Sequence, residues 1–144
     1  MDYTELAMEL LEKMKSLRKI KPHKNMNEAM QGETFVLTYI AHHGGDVLPG
    51  EIGHEMDVSS ARIASALNSL EKKGLITRQI DTNDRRKILV GITQEGKEIA
   101  ENHYKKTLEI AAKMLELLGE HDAKEYIRVT KKLVEVLPDC KNIF

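Results

Sequence analysis

Residues 59–74 read Ser59-Ser60-Ala61-Arg62-Ile63-Ala64-Ser65-Ala66-Leu67-Asn68-Ser69-Leu70-Glu71-Lys72-Lys73-Gly74, and this stretch decides the fold. Ile63, Leu67 and Leu70 recur at helical steps and assign one face to a core. Ser59 is a good N-cap, because its hydroxyl can accept from a backbone N–H that the first helical turn leaves unpaired. Gly74 suits the left-handed residue that closes a helix. The opposite face carries Ala61, Ser65, Asn68 and Lys72, flanked by Ser60, Arg62 and Ser69. Such a face can simply be solvated, but its shortness is unusual for a helix that only meets water.

On the N-terminal side, Pro49 to Met56 reads as two helical turns with proline at the start, and Asp57-Val58 as a tight connection. On the C-terminal side, Leu75–Ile80 and Lys87–Ile92 are strand-like, the second with Ile88, Val90 and Ile92 alternating. Asp81-Thr82-Asn83-Asp84-Arg85-Arg86 joins them as a hairpin tip. A short helix, a tight turn, a second helix and a hairpin together predict a winged helix-turn-helix.

Further out the chain is helical. Leu6, Leu10, Met14 and Leu17 mark an amphipathic helix from Met1 to about Ile20, expected to end at Pro22. The polar stretch Lys21–Asn27 is expected as a loop. A helix follows from about Glu28, or from nearer Gly32, to His43, with Phe35, Val36, Tyr39 and Ile40 on one face and Gly44-Gly45 as its stop. Thr93 caps a long helix to about Leu118, whose stripe is Ala100, Tyr104, Leu108, Ala111, Leu115 and Leu118. Gly119 breaks it. Asp122 with Glu125 has the form of a capping box for a last helix carrying Tyr126, Ile127, Thr130, Val134 and Leu137, and Pro138 stops that helix. The expected class is therefore mainly α with one two-stranded hairpin. The expected organisation is a single domain over residues 1–144, with a winged-helix portion at about 32–93 and flanking helices at about 1–20 and 94–137.

Composition bounds the alternatives. A chain of 144 residues suits one domain, and 41% hydrophobic with 31% charged residues excludes a disordered chain. The one cysteine, Cys140, cannot form an internal disulfide, which points to a reducing compartment. The longest stretch free of Asp, Glu, Lys and Arg is Thr34–Gly45, too short for the roughly 20 apolar residues of a membrane span. The acidic start Met1-Asp2-Tyr3-Thr4-Glu5 is unlike a secretory signal, so the cytoplasm is the expected location.

The net charge is only −1, but it is unevenly placed. Between Ser59 and Ile88 stand seven basic residues (Arg62, Lys72, Lys73, Arg78, Arg85, Arg86, Lys87) against the acids Glu71, Asp81 and Asp84. A second basic run, Lys13 to Lys24, holds six cations and no acid. Local positive fields bind phosphate even on a neutral chain.

The chemistry of the central helix fits a major groove. Short side chains let a helix sit deep, where Ser bonds several base edges, Asn can pair with adenine, Arg pairs with guanine and an Ala methyl can touch thymine. Its N-terminal residues are the expected base readers: Ser60, Ala61, Arg62 and Ser65, with Asn68 further along, and Ser59 and Lys72 complete the expected DNA-binding set of this helix. The helix N-terminus itself favours a phosphate. The hairpin tip adds Asn83, Asp84, Arg85, Arg86 and Lys87. An arginine there can enter the narrow, negative minor groove. Asp84 would repel phosphate unless it pairs with an arginine of the tip, and Asp-Thr-Asn-Asp is in any case turn chemistry.

From Gly32 to about Ala100 the sequence resembles the MarR family of transcriptional regulators. The matching stretches are Gly32-Glu33-Thr34-Phe35-Val36-Leu37, Val58-Ser59-Ser60-Ala61-Arg62-Ile63, Leu70-Glu71-Lys72-Lys73-Gly74-Leu75-Ile76-Thr77-Arg78, Asp84-Arg85-Arg86-Lys87 and Ile92-Thr93-Gln94-Glu95-Gly96. The combination is specific, although each piece alone is weak. The resemblance implies a homodimer, with the first helix and the last two packing across its axis, on a palindromic operator in double-stranded DNA. It places Asp84 and Arg86 on the family's Asp-x-Arg wing pattern. Where the family often has an arginine three residues before Arg86, this chain has Asn83, so that wing contact is either missing or supplied by Arg85.

Many relatives answer to an oxidant, a metal or a small aromatic acid. The oxidant branch uses a cysteine near the start of the first helix; here Tyr3 is present and the cysteine is not, and Cys140 reads as an idle surface thiol. The histidines (His23, His42, His43, His54, His103, His121) show no i, i+4 pair, so no metal is expected. A small aromatic ligand between the dimer helices and the winged portion is a family expectation, for which Met8, Met14, Met26 and Met30 are adaptable lining candidates. No cofactor is implied. No Gly-rich phosphate loop, nucleophile elbow or HExxH pattern suggests an enzyme. The expected function is a DNA-binding regulator acting as a repressor. The alternative is a winged-helix protein-interaction module without DNA binding.

Overall fold

The computed structural model describes residues 1–140, without the side chains of Ala29, Asp139 and Cys140, so the expectation for the Cys140 thiol lies outside it. Its order is α1 (Thr4–Arg18), α2 (Lys21–Ala29), α3 (Gly32–His42), α4 (Pro49–Met56), α5 (Ser60–Lys72), β1 (Ile76–Ile80), β2 (Ile88–Ile92), α6 (Gln94–Leu118) and α7 (Glu120–Val136). A short 3-10 turn, Leu137–Cys140, follows. Two compact units divide between Thr107 and Leu108.

In the first unit the core gathers where α3, α4, α5 and the hairpin meet. Val36, Leu37 and Ile40 of α3, Ile52 of α4, and Ile63, Leu67 and Leu70 of α5 are all buried, with Leu75, Ile76, Val90 and Ala100. The expected core face of α5 is therefore the observed one. On α3, Leu37 joins Val36 and Ile40 inside, while Phe35 and Tyr39 are half-buried.

Each joint is set by local chemistry. α4 begins on Pro49, and Asp57 turns the chain with a left-handed φ of 52°. Ser59 caps α5 as expected, its hydroxyl accepting from the Arg62 N–H at 3.3 Å. The end of α5 is a Schellman motif. Gly74 sits at φ 74°, its N–H donates to the Glu71 carbonyl, and the Leu75 N–H donates to the Leu70 carbonyl, both at 3.0 Å. The two leucines of Leu70-Glu71-Lys72-Lys73-Gly74-Leu75 are both buried, as that motif requires.

β1 and β2 pair antiparallel, Ile76 opposite Ile92 and Ile80 opposite Ile88. Val47 adds an isolated third rung by exchanging both backbone bonds with Val90, at 3.0 and 2.8 Å. This tie fastens the chain before α4 to the sheet. Thr93 then opens α6. Its hydroxyl accepts from the Gly96 N–H at 3.0 Å and lies 2.9 and 3.1 Å from the carbonyls of Gly74 and Leu75, to which it can donate. The Thr-x-x-Gly spacing thus locks the start of α6 to the end of α5.

Two expectations fail. Lys21–Asn27 is helical, not a loop, because Pro22 lies in the first turn of α2. Proline lacks only an N–H that a first turn leaves unpaired, so it starts a helix there. The Asp122–Glu125 capping box does not form: α7 already begins at Glu120, and Glu125 instead accepts from the Arg128 guanidinium at 2.9 Å.

The terminal helices leave their apolar stripes open. Nothing on α1 is buried; Leu6, Leu10, Met14 and Leu17 are exposed. Of the stripe expected on α6, Ala100 is buried while Tyr104, Leu108 and Leu118 are exposed. In the second unit α7 buries no residue and exposes Tyr126, Ile127, Leu133 and Val134. Among the described residues no helix is long and apolar enough to cross a membrane.

Candidate nucleic-acid interface

α5 turns its outer face to solvent. Ser59, Ser60, Ala61, Arg62, Ser65, Asn68 and Lys72 are all exposed. They differ in what they have left to offer. Ser59 spends its acceptor on the cap. Arg62 and Lys72 have no side-chain partner among the described residues.

Two grips hold this helix from opposite flanks. From α3, Glu33 accepts from Ser69 Oγ at 2.9 Å and from Lys73 Nζ at 2.8 Å. The Lys73 ammonium holds the Glu33 carboxyl below its usual range. From β1, the Arg78 guanidinium forks onto Glu71, Nε to Oε2 at 3.2 Å and Nη2 to Oε1 at 2.9 Å. The same Nη2 donates to Asn68 Oδ1 at 2.7 Å. Arg78 lowers the Glu71 pKa, and Glu71 in turn raises that of Arg78. Sequence reasoning counted Arg78 as a charge and named both Arg78 and Glu33 in the family-like stretches, but gave neither a partner. The partners lie 7 to 40 residues apart along the chain, so no periodicity announces them.

The hairpin tip is built by its two aspartates. The Asp81 carboxylate accepts from the Asn83 N–H at 2.9 Å, and the Asp81 N–H donates to the Lys87 carbonyl at 2.9 Å. Asp84 Oδ1 accepts from the Arg86 N–H at 3.0 Å and from Arg86 Nε at 3.3 Å. These bonds, the backbone one first, depress the Asp84 pKa. The condition set for Asp84 is therefore met: it pairs inside the tip. The Arg86 side chain remains 91% exposed despite that pair. Arg85 and Lys87 are exposed; Arg85 has no side-chain partner among the described residues, and the charge of Lys87 adds to the pull on Asp84.

The local charge surplus therefore sorts into two groups. Lys73, Arg78 and Arg86 are paired with Glu33, Glu71 and Asp84. Arg62 and Lys72 on the helix, with Arg85 and Lys87 on the hairpin, are left to face solvent or a polyanion.

Beside the outer face lies an open cavity of about 730 Å³ in the first unit, with Glu33 and Glu55 in its lining. Met30, Phe35, Met56 and Val58 give it an apolar wall, and Arg62 and Ser65 reach it from α5. Of the four methionines expected to line a ligand site, only Met30 is on this wall; Met8 and Met14 are exposed on α1.

Comparison with known proteins gives a consistent result. The model described as MarR family matches residues 30–87. The HTH-type transcriptional repressor MdtR of Bacillus subtilis (strain 168) is 31% identical, over 82% of this chain and 78% of its own length. Among solved structures, the YusO protein from Bacillus subtilis is 27% identical, with a TM-score of 0.69 over 94% of this chain and 99% of that one. FabT of Streptococcus pneumoniae, crystallised in complex with DNA, superposes with a TM-score of 0.73 over 97% of this chain and all of its own, at 22% identity.

Proposed function

The chain belongs to the MarR family of HTH-type transcriptional regulators, and from that premise we propose that it represses transcription as a homodimer bound to a palindromic DNA operator. The reading rests on one observation above all. The exposed face of α5 is short and polar, and Arg62 and Lys72 on it, with Arg85 on the hairpin, are unspent while Glu33, Glu71, Asp81 and Asp84 are each tied to a cation or a backbone N–H.

In this reading α5 enters the major groove. Ser60, Ala61, Arg62 and Ser65 meet base edges, Asn68 lies further along, and Ser59 and Lys72 lie nearer the phosphates. The hairpin reaches the adjacent minor groove with Arg85 and Arg86, positioned by Asn83 and Asp84, while Lys87 meets the backbone. The open stripes of α1 and α7 support a dimer, because exposed apolar faces of this extent mark association surfaces. A two-fold axis would then set the two α5 helices about 34–36 Å apart, one turn of duplex. Repression follows from occupancy of a promoter.

Titration of labelled duplex at several salt concentrations tests this. The expected result is an affinity that falls steeply with salt in the wild type and is largely lost in an Arg62→Ala, Arg86→Ala double variant. Equal binding by both proteins would remove the proposal in favour of a protein-interaction module.

The cavity beside α5 supports a second element, response to a small aromatic acid. An occupant would touch Arg62 and Ser65 and so disturb the reading face. A panel of benzoates added to the protein–DNA complex is expected to include one that releases DNA.

A further inference from the structure

Arginine carries only donors, so the 2.7 Å contact between Arg78 Nη2 and Asn68 fixes the amide's orientation: the atom facing Arg78 must be the carbonyl Oδ1. Arg78 is itself held by two bonds to Glu71, so it cannot easily turn away. The amide nitrogen Nδ2 has no partner among the described residues, and Asn68 is exposed on the outer face of α5. An asparagine free on both ends pairs with adenine, accepting from N6 and donating to N7. Here one of the oxygen's two lone pairs is already taken by a full positive charge. A base amino group brought to the same oxygen would meet the guanidinium.

Resting on the DNA-binding reading above, we infer that Arg78 is a positioning residue that sets base specificity: it weakens Asn68 as an acceptor and leaves it chiefly a donor, favouring guanine over adenine. Guanine presents two adjacent acceptors, N7 and O6, in the major groove, which suit the two N–H bonds of one amide nitrogen. Adenine offers one acceptor beside a donor, and that donor has to share an oxygen already bonded to the guanidinium. The charge-assisted bond to Oδ1 also polarises the amide and strengthens Nδ2 as a donor. Arg78 touches no base. It acts through Asn68, and the wing strand thereby takes part in what the helix reads.

The test is selection of bound duplexes from a random library, followed by sequencing. The position read by Asn68 is defined as the one whose preference disappears in Asn68→Ala. The wild type is expected to select guanine there, and Arg78→Met to select adenine by about tenfold, because freeing Oδ1 restores the donor–acceptor pair. Arg78→Lys, which keeps a charged donor, is expected to retain guanine. A merely structural arginine would lower affinity for all sequences and leave the preferred base unchanged. Asn68→Asp supplies a second route should Arg78→Met fold poorly: it keeps acceptors for Arg78 but removes Nδ2, and the guanine preference is expected to vanish. The inference is overturned by an adenine preference in the wild type, by an unchanged base in Arg78→Met, or by guanine surviving in Asn68→Asp. It also falls if Asn68→Ala alters no position. A wild type that enriches no duplex at all sinks the DNA-binding reading itself, which separates the two failures.

Discussion

Gly96 lies against the backbone carbonyl of Leu75 so closely that no side-chain carbon fits between them. A Cβ built at Gly96 would overlap the Leu75 carbonyl oxygen and come within 2.9 Å of the Ile92 side chain. The close approach is the other half of the Thr93 lock, since the Gly96 N–H reaches the same hydroxyl that can donate to Leu75. Gly96→Ala must therefore move backbone rather than a flexible side chain. It is expected to destabilise the fold by about 1–3 kcal/mol, measured by chemical denaturation, despite alanine's better helix propensity.

Ser59 separates capping from DNA contact. Ser59→Ala is expected to cost about 1 kcal/mol of stability through loss of the bond from the Arg62 N–H. Ser59→Asp keeps a capping acceptor and suits the positive helix end, so stability is retained. The same carboxylate opposes phosphate, so DNA affinity is expected to fall. Thermal melting and duplex titration on the two variants check both halves.

Asp84 is paired at the tip of the hairpin, and its charge and its hydrogen bond can be tested apart. Asp84→Asn keeps an oxygen for the Arg86 N–H while removing a negative charge. Asp84→Ala removes both. The two variants carry equal charge, so a difference between them isolates the turn. Asp84→Asn is expected to bind random duplex more tightly than wild type at low salt, and Asp84→Ala more weakly than Asp84→Asn.

Acid should loosen the grips on α5. Glu33 and Glu71 are both held below their usual 4.5 by partners that exist only in the folded protein. A depressed carboxylate pKa contributes stability that is present above the unfolded value and lost as pH falls through the folded one. Melting temperatures are thus expected to be insensitive to these groups from pH 8 to 6 and to decline below about pH 4.5. Glu33→Gln, which can still accept from Ser69, should show a shallower decline than wild type over that acid range.

Charges placed on the open stripes test association. Leu10 on α1 and Val134 on α7 are 59% and 68% exposed in the single chain. For a monomer, Leu10→Glu or Val134→Glu would be nearly neutral, within about 0.5 kcal/mol. If these faces meet a second copy, each substitution buries an unpaired charge. Sedimentation is expected to show the wild type as a dimer and the variants shifted towards monomer, with helical circular dichroism retained.

The elements most readable from sequence were those closed by local chemistry. α4 keeps the bounds expected from Pro49, α5 starts on its Ser59 cap and ends at Gly74, and the hairpin lies within the two strand-like runs. Caps, Schellman ends and Asx turns depend on residues within a few positions of one another. Pro22 and Asp122 misled because each has two local meanings. Proline both stops and starts helices, and an Asp-x-x-Glu spacing matters only where a helix in fact begins.

The one-dimensional pattern was sufficient for a winged helix, its buried face on α5 and its exposed polar face, since helical period and turn chemistry are properties of neighbouring residues. Folding alone decided which polar groups on that face remain available. Glu33 takes Lys73, and Arg78 takes Glu71 and the oxygen of Asn68, leaving Arg62 and Lys72 unspent. The physical reason is that a hydrogen bond is settled within about 3 Å of space. Residues of α3, α5 and β1 come that close only after the core has packed them together.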